Sequence, residues 1–178
     1  MTDAQASYTY NKYSITAVLG TITPDQKKRV IEFWQKNRAL GNNPQEANRR
    51  VNQVVLIAEN DANEVVGVTT IYLQPFIVNM RPFVYYRMFI EPSARVFGMM
   101  EYMTQLTHLS LKKISIPNKP DGMVVVTENQ KLMRKGMKRM LRRSGLEYIG
   151  INNNNQDVWY WGFDKPSFPD GKGPQAED

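Results

Sequence analysis

The chain has 178 residues, a net charge of +6 and no cysteine, so it is long enough to bury a real core and excludes disulfides and thiolate chemistry. Its one histidine, His108, has no acidic pair at ligand spacing, which argues against a metal site. The balance of 23 Lys and Arg against 17 Asp and Glu suits an anionic partner, whether a phosphorylated cofactor or nucleic acid.

In chain order, the opening MTDAQASYTYNKYS is polar and holds no hydrophobic signal core, and the longest apolar runs, such as Val54–Ala58, are strand-sized. The expectation is a soluble, cytoplasmic protein with no membrane partner. Residues 13–20 alternate and read as a first strand. Thr23-Pro24-Asp25-Gln26 is a capping-box start for a helix carrying Val30, Ile31, Phe33 and Trp34 inward to about Gly41. Asn43-Pro44-Gln45-Glu46 repeats the signal for a shorter helix to about Asn52. Val54–Glu59 and Glu64–Leu73 flank the turn at 60–63 and predict an antiparallel hairpin.

The loop at 74–82 is rich in apolar and aromatic residues, and Phe83–Ile90 follows as a strand. Glu91-Pro92-Ser93-Ala94 breaks it, and helical periodicity runs from Arg95 to Lys113, with Met99, Met103 and Leu106 on one side. Met123–Thr127 is a short, largely apolar strand of the kind buried on both faces, and Gln130–Ser144 is an amphipathic helix ended by Gly145. Strands at 146–151 and 157–163 flank a four-asparagine turn. Residues 164–178 are poor in apolar side chains and read as a disordered tail behind a single domain, 1–163. This order predicts an α/β (α+β) layered fold.

Three local features carry a more specific reading. Met88-Phe89-Ile90-Glu91-Pro92 leads into Arg95-Val96-Phe97-Gly98-Met99-Met100 at a helix start. A helix N-terminus has unpaired N–H groups and partial positive charge, and a glycine before it lets the backbone approach a pyrophosphate. Val126-Thr127-Glu128-Asn129 ends the short apolar strand before the basic helix. Ser144-Gly145-Leu146-Glu147-Tyr148-Ile149-Gly150 then turns into the last hairpin.

Placed in this order, over roughly residues 8–163, these features resemble the GNAT N-acetyltransferases. The resemblance implies a mixed, mostly antiparallel sheet of about seven strands flanked by four helices. It implies acetyl-CoA (or CoA) as co-substrate, no metal, and transfer of an acetyl group to a primary amine. Arg95, Val96, Phe97, Gly98, Met99 and Met100 would hold the pyrophosphate, the backbone of Met88, Phe89 and Ile90 the pantetheine arm, and Asn129 its far side. Glu91 is the candidate general base, with Glu59 and Glu128 behind it, and the loop bearing Phe76 and Arg81 stands on the acceptor side or at a homodimer contact. Val96 and Met100 replace the family's small residues, and Leu141 stands where the family often carries a tyrosine acid. These departures support an alternative, a catalytically inactive GNAT-like fold serving as a binding or assembly protein through its basic fourth helix.

Other residues have ordinary structural readings. Lys131, Arg134, Lys135, Lys138, Arg139, Arg142 and Arg143 form the polar side of their helix, opposite Leu132, Met133, Met137, Met140 and Leu141, and read mainly as a solvated face. Seven positive charges without an acid can also attract the phosphates of CoA or form a nucleic-acid or partner patch, but no aromatic interleaves with them along the helix, which argues against single-strand binding. Asn129 can cap that helix, and Trp34, Trp159 and Trp161 read as core.

Overall fold

A computed structural model describes residues 5–75, 82–114 and 119–174. Nine strands and four α-helices are seen among them: β1 (Ser7–Tyr10), β2 (Tyr13–Ala17), α1 (Pro24–Lys36), β3 (Ala39–Asn42), α2 (Pro44–Arg50), β4 (Val54–Glu59), β5 (Val65–Pro75), β6 (Pro82–Ile90), α3 (Met99–Lys113), β7 (Gly122–Val126), α4 (Lys135–Ser144), β8 (Glu147–Ile151) and β9 (Asp157–Gly162). Eight strands share one mixed sheet in the order β1-β2-β4-β5-β6-β7-β9-β8, with β6 and β7 parallel. The predicted fold class holds, with one more sheet strand than expected.

The chain divides into two compact units, residues 1–71 with 87–100 and residues 72–86 with 101–178. In the first, the capping box forms as the sequence predicts: Thr23 Oγ1 accepts from the Gln26 amide at 3.2 Å and the Gln26 side chain accepts from the Thr23 amide at 2.9 Å. Asn43 caps α2 by one bond, its Oδ1 accepting from the Glu46 amide at 3.2 Å. Val30, Phe33 and Trp34 recur at helical spacing and bury α1 in a core with Val18, Val54 and Ile57. Each such side chain contributes roughly 1.5–3 kcal/mol by leaving water. Arg29 pairs with Glu59 and, at 3.1 Å, with Asp25, which gives Glu59 a structural partner. The predicted β4–β5 hairpin is present and antiparallel.

In the second unit β7 runs parallel to β6, with Tyr85 opposite Val124, and antiparallel to β9, with Met123 opposite Trp161. Its residues Met123 and Val124 are fully buried, as the apolar run requires. Every residue of α3 from Met103 to His108 is buried, polar ones included. Thr107 Oγ1 answers its burial by donating to the Met103 carbonyl at 2.8 Å. Trp34, Trp159 and Trp161 are core residues, as read from the sequence.

Four expectations need correction, the first being that α1 runs to about Gly41: it ends at Lys36, and β3 follows where the helix was expected to continue. β1 was missed because its pattern, exposed alternating with half-buried, offers no apolar face to read. α3 starts at Met99 instead of Arg95, since Gly98 takes φ +80° and cannot continue a right-handed helix from the loop. The helix expected over 130–144 is a 3-10 turn, Gln130–Met133, then α4, divided by Arg134 in an extended conformation. Met137 and Met140 are only half-buried, and Leu141 and Ser144 are α4's buried residues. Within residues 164–174, Ser167 is buried, Phe168 meets Tyr102 with ring centroids 6.0 Å apart, and the Lys112 ammonium donates to the Lys165 carbonyl at 2.9 Å.

Candidate functional site

The candidate phosphate loop lies in the first unit, between β6 and α3. β6 ends at Ile90, which is buried, while Phe89 meets Phe33 edge-on at 5.7 Å. The Glu91 amide donates to the Val66 carbonyl at 2.9 Å, holding the end of β6 to β5. Pro92–Ala94 makes one 3-10 turn, closed by the Ala94 amide on the Glu91 carbonyl at 3.0 Å. The Ser93 hydroxyl donates to Oε1 of Glu91 at 2.8 Å, so the candidate base is a half-buried carboxylate with a fixed neighbour.

Arg95 is exposed, and its Nε donates back to the Ile90 carbonyl at 2.9 Å. That carbonyl is one of the groups assigned to the pantetheine arm, so the two sequence-predicted parts of the site meet directly. The Val96 amide donates to the Ala94 carbonyl at 2.9 Å and the Met99 amide to the Val96 carbonyl at 3.2 Å. Phe97 is 87% exposed, Met99 fully buried and Met100 half-buried.

Gly98 has a close neighbour here that the sequence did not reveal. Tyr10 at the end of β1 donates its hydroxyl to the Phe97 carbonyl at 2.8 Å, and a Cβ on Gly98 would stand 2.1 Å from that oxygen. The left-handed φ of +80° favours glycine. Tyr10 and Phe97 are 87 residues apart, and no local pattern joins them.

Asn129 belongs to the second unit, where its Oδ1 accepts from the Lys131 amide at 2.9 Å and caps the 3-10 turn. Glu128 is exposed in the same unit. Phe76 and Arg81 fall outside the described residues. Leu141 is buried in α4, an apolar group at the position where the resemblance looks for a tyrosine.

α4 is not a uniformly solvated face. Lys138 lies 2.9 Å from Oδ2 of Asp157, a fully buried carboxylate, at an angle that leaves the carboxylate's hydrogen-bonding positions unfilled. Arg143 grips Glu101 through Nε and Nη2, at 2.9 and 2.6 Å. Arg142 stands 5.6 Å over the Trp159 ring and Lys138 5.2 Å over Tyr148. Asp157 and Tyr148 are partners that helical spacing alone does not reveal.

His108 is buried in α3, stacked on Trp161 at 4.0 Å and 15°. Nε2 donates to the Gly162 carbonyl at 3.0 Å, which can only accept, so Nδ1 takes the Ser167 hydroxyl at 2.8 Å. Burial, only partly offset by the Gly162 carbonyl, pushes the ring down from its ordinary 6.5 to about 4. Between those values the unfolded chain binds a proton that the folded chain refuses, so this contribution is complete above pH 6.5 and is lost as pH falls towards 4. Urea melts over that window should therefore show a loss of about 3 kcal/mol that vanishes in His108→Gln. Equal acid sensitivity in the variant would show that His108 is not its source.

No family model and no curated protein sequence matches the chain. Its fold does match solved structures. A GNAT-family acetyltransferase from Listeria monocytogenes aligns with TM-score 0.59 and 12% identity over 88% of this chain and 99% of that one. The GNAT domain of S. lividans PAT aligns with TM-score 0.61 and 10% identity over 89% and 96%. Arabidopsis thaliana NAA60, solved in complex with acetyl-CoA, aligns with TM-score 0.56 and 12% identity over 86% and 99%. The chain therefore has the GNAT acetyltransferase fold that its motifs imply.

Proposed function

We propose that the chain is an N-acetyltransferase that takes acetyl-CoA as co-substrate and passes the acetyl group to a primary amine. The observation that carries this is the passage from β6 through Arg95 and Gly98 into α3, within a fold whose solved neighbours are acetyltransferases. The loop fits a pyrophosphate in its exposed Arg95 and its glycine. What stands over Gly98 is the far end of a side chain on the edge strand β1, so an incoming phosphate displaces a hydroxyl and not backbone.

Bound acetyl-CoA supplies a thioester carbonyl that an amine can attack. Arg95 offers its guanidinium to the diphosphate, and the backbone of Met88–Ile90 runs beside the arm. Glu91 takes the proton released as the C–N bond forms, with Ser93 holding one carboxylate oxygen so that the other faces a defined task. As the C–S bond breaks, the departing thiolate takes a proton from water.

Calorimetry with acetyl-CoA tests the binding step. The wild type should bind, and Arg95→Glu should weaken binding at least about tenfold with its fold intact by circular dichroism. No heat and no thermal shift at millimolar ligand would overturn the proposal and leave the second reading, a GNAT-like fold kept as a binding protein, which the buried Leu141 and the Tyr10 contact favour. For the chemical step, Glu91→Gln should lower kcat about 100- to 1,000-fold with little change in KM. An unchanged kcat removes Glu91 from the role of base.

A further inference from the structure

We propose that the face formed by α4 and β8 in the second unit binds single-stranded nucleic acid. The cations come first. Residues 130–144 hold seven Lys and Arg and no acid, and three of these are engaged, Lys138 by Asp157, Arg143 by Glu101 and Arg142 by the Trp159 ring. Lys131, Arg134, Lys135 and Arg139 are exposed, and among the described residues none of them has an ion-pair partner. Four uncompensated charges along one short segment attract a polyanion and release its counterions.

The register of β8 then places an aromatic beside them. The β8–β9 ladder pairs Tyr148 with Trp159 and Ile151 with Asp157, with a shift between Tyr148 and Gly150 that leaves Ile149 as an extra residue. The bulge sets Tyr148 and Ile151 on the same face of the sheet as Trp159 and Asp157. That is the face α4 covers, since Lys138 reaches Asp157 and Tyr148, and Arg142 reaches Trp159. Lys135, Lys138, Arg139 and Arg142 recur at i, i+3, i+4 and i+7, so the free cations continue the stripe whose other members already touch these rings.

Tyr148 is 41% exposed and braced edge-on by Trp159 at 5.1 Å and 61°. Ile151, 59% exposed, lies along the same strand face. The sequence alone separates the aromatic from the cations, and the fold interleaves them. A braced, accessible ring beside phosphate-binding cations is the chemistry of single-strand recognition, in which a base stacks while the backbone follows the charge. An acidic peptide or an anionic membrane would use the charges without needing the ring.

The test is fluorescence anisotropy of a labelled single-stranded RNA titrated with the full chain over a range of salt. With about four phosphates neutralised, log K should fall against log salt with a slope of about −3. Lys135→Glu with Arg139→Glu should weaken binding at least about tenfold and flatten the slope. Tyr148→Ala should weaken it about five- to tenfold and leave the slope unchanged. Melting curves of each variant exclude loss of fold. No binding by the wild type at low salt overturns the proposal. So does equal competition by poly-glutamate or by phosphatidylserine vesicles when Tyr148→Ala binds like wild type, which would assign the surface to an acidic protein or a membrane.

Discussion

Trp161→Ala should lower the stability of the chain by about 3–5 kcal/mol, read as a shift of the urea midpoint with little change in slope. Trp161 is 1% exposed and lies opposite Met123 in the sheet. One face of its indole carries the His108 ring at 4.0 Å. Its six-membered ring also lies so near the backbone at the end of α4 that a Cβ on Gly145 would come within 2.4 Å of Cζ2. One side chain thus fixes α3, β7 and the end of α4, and deleting it opens a cavity that three elements would have to close at once. Relaxation is limited because Gly145 holds φ +115° and the strands are hydrogen-bonded on both sides. Trp161→Phe keeps the stacking surface and should recover more than half of the loss. A shift below about 1 kcal/mol for the alanine variant would mean that the indole does not hold these elements together.

Trp161 also marks the limit of what could be read from the sequence. That it is buried was legible, because it sits in a strand with aromatic and apolar neighbours. That it stacks on His108 was not, since the pair is joined only by the fold. The same division holds throughout. Thr23, Asn43, Gly145 and the asparagine turn at 152–155 were legible because their partners are two to five residues away. The order of strands and helices followed from those signals, and with it the fold. β1 was not legible, having no buried face, and the placement of Ser167 depended on a histidine 59 residues earlier.

The candidate site divides in the same way. Arg95 and Gly98 were found because a strand, a break and a helix follow one another in the chain. Their present partners, the Ile90 carbonyl and the Tyr10 hydroxyl, are facts of folding. Gly98 shows the consequence most plainly, since a residue chosen for its space towards a ligand faces a side chain of its own chain. Reading the basic helix as a solvated stripe was correct for Lys135, Arg139, Arg142 and Arg143, which are exposed, although Arg142 and Arg143 also have partners, and incorrect for Lys138, which is half-buried. Helical periodicity assigns a side to each residue. It does not say that Asp157 waits on the neighbouring strand.

That distinction among the lysines of α4 has a measurable consequence. Lys138→Met should cost about 3–5 kcal/mol, whereas Lys135→Met and Arg139→Met should each change stability by less than about 0.5 kcal/mol. Asp157 is 1% exposed, and neither carboxylate oxygen makes a hydrogen bond among the described residues, so the ammonium 2.9 Å away is what compensates it. Removing the lysine leaves a carboxylate taken out of water with nothing to balance it, and methionine, similar in length, keeps the packing over Tyr148. The cost is therefore electrostatic, which the double variant isolates. Lys138→Met with Asp157→Leu removes both charges, and most of the stability should return, giving a coupling of at least about 2 kcal/mol between the two sites. If the single and double variants were equally unstable, the loss would come from packing, and the pair would contribute no more than the exposed lysines beside it.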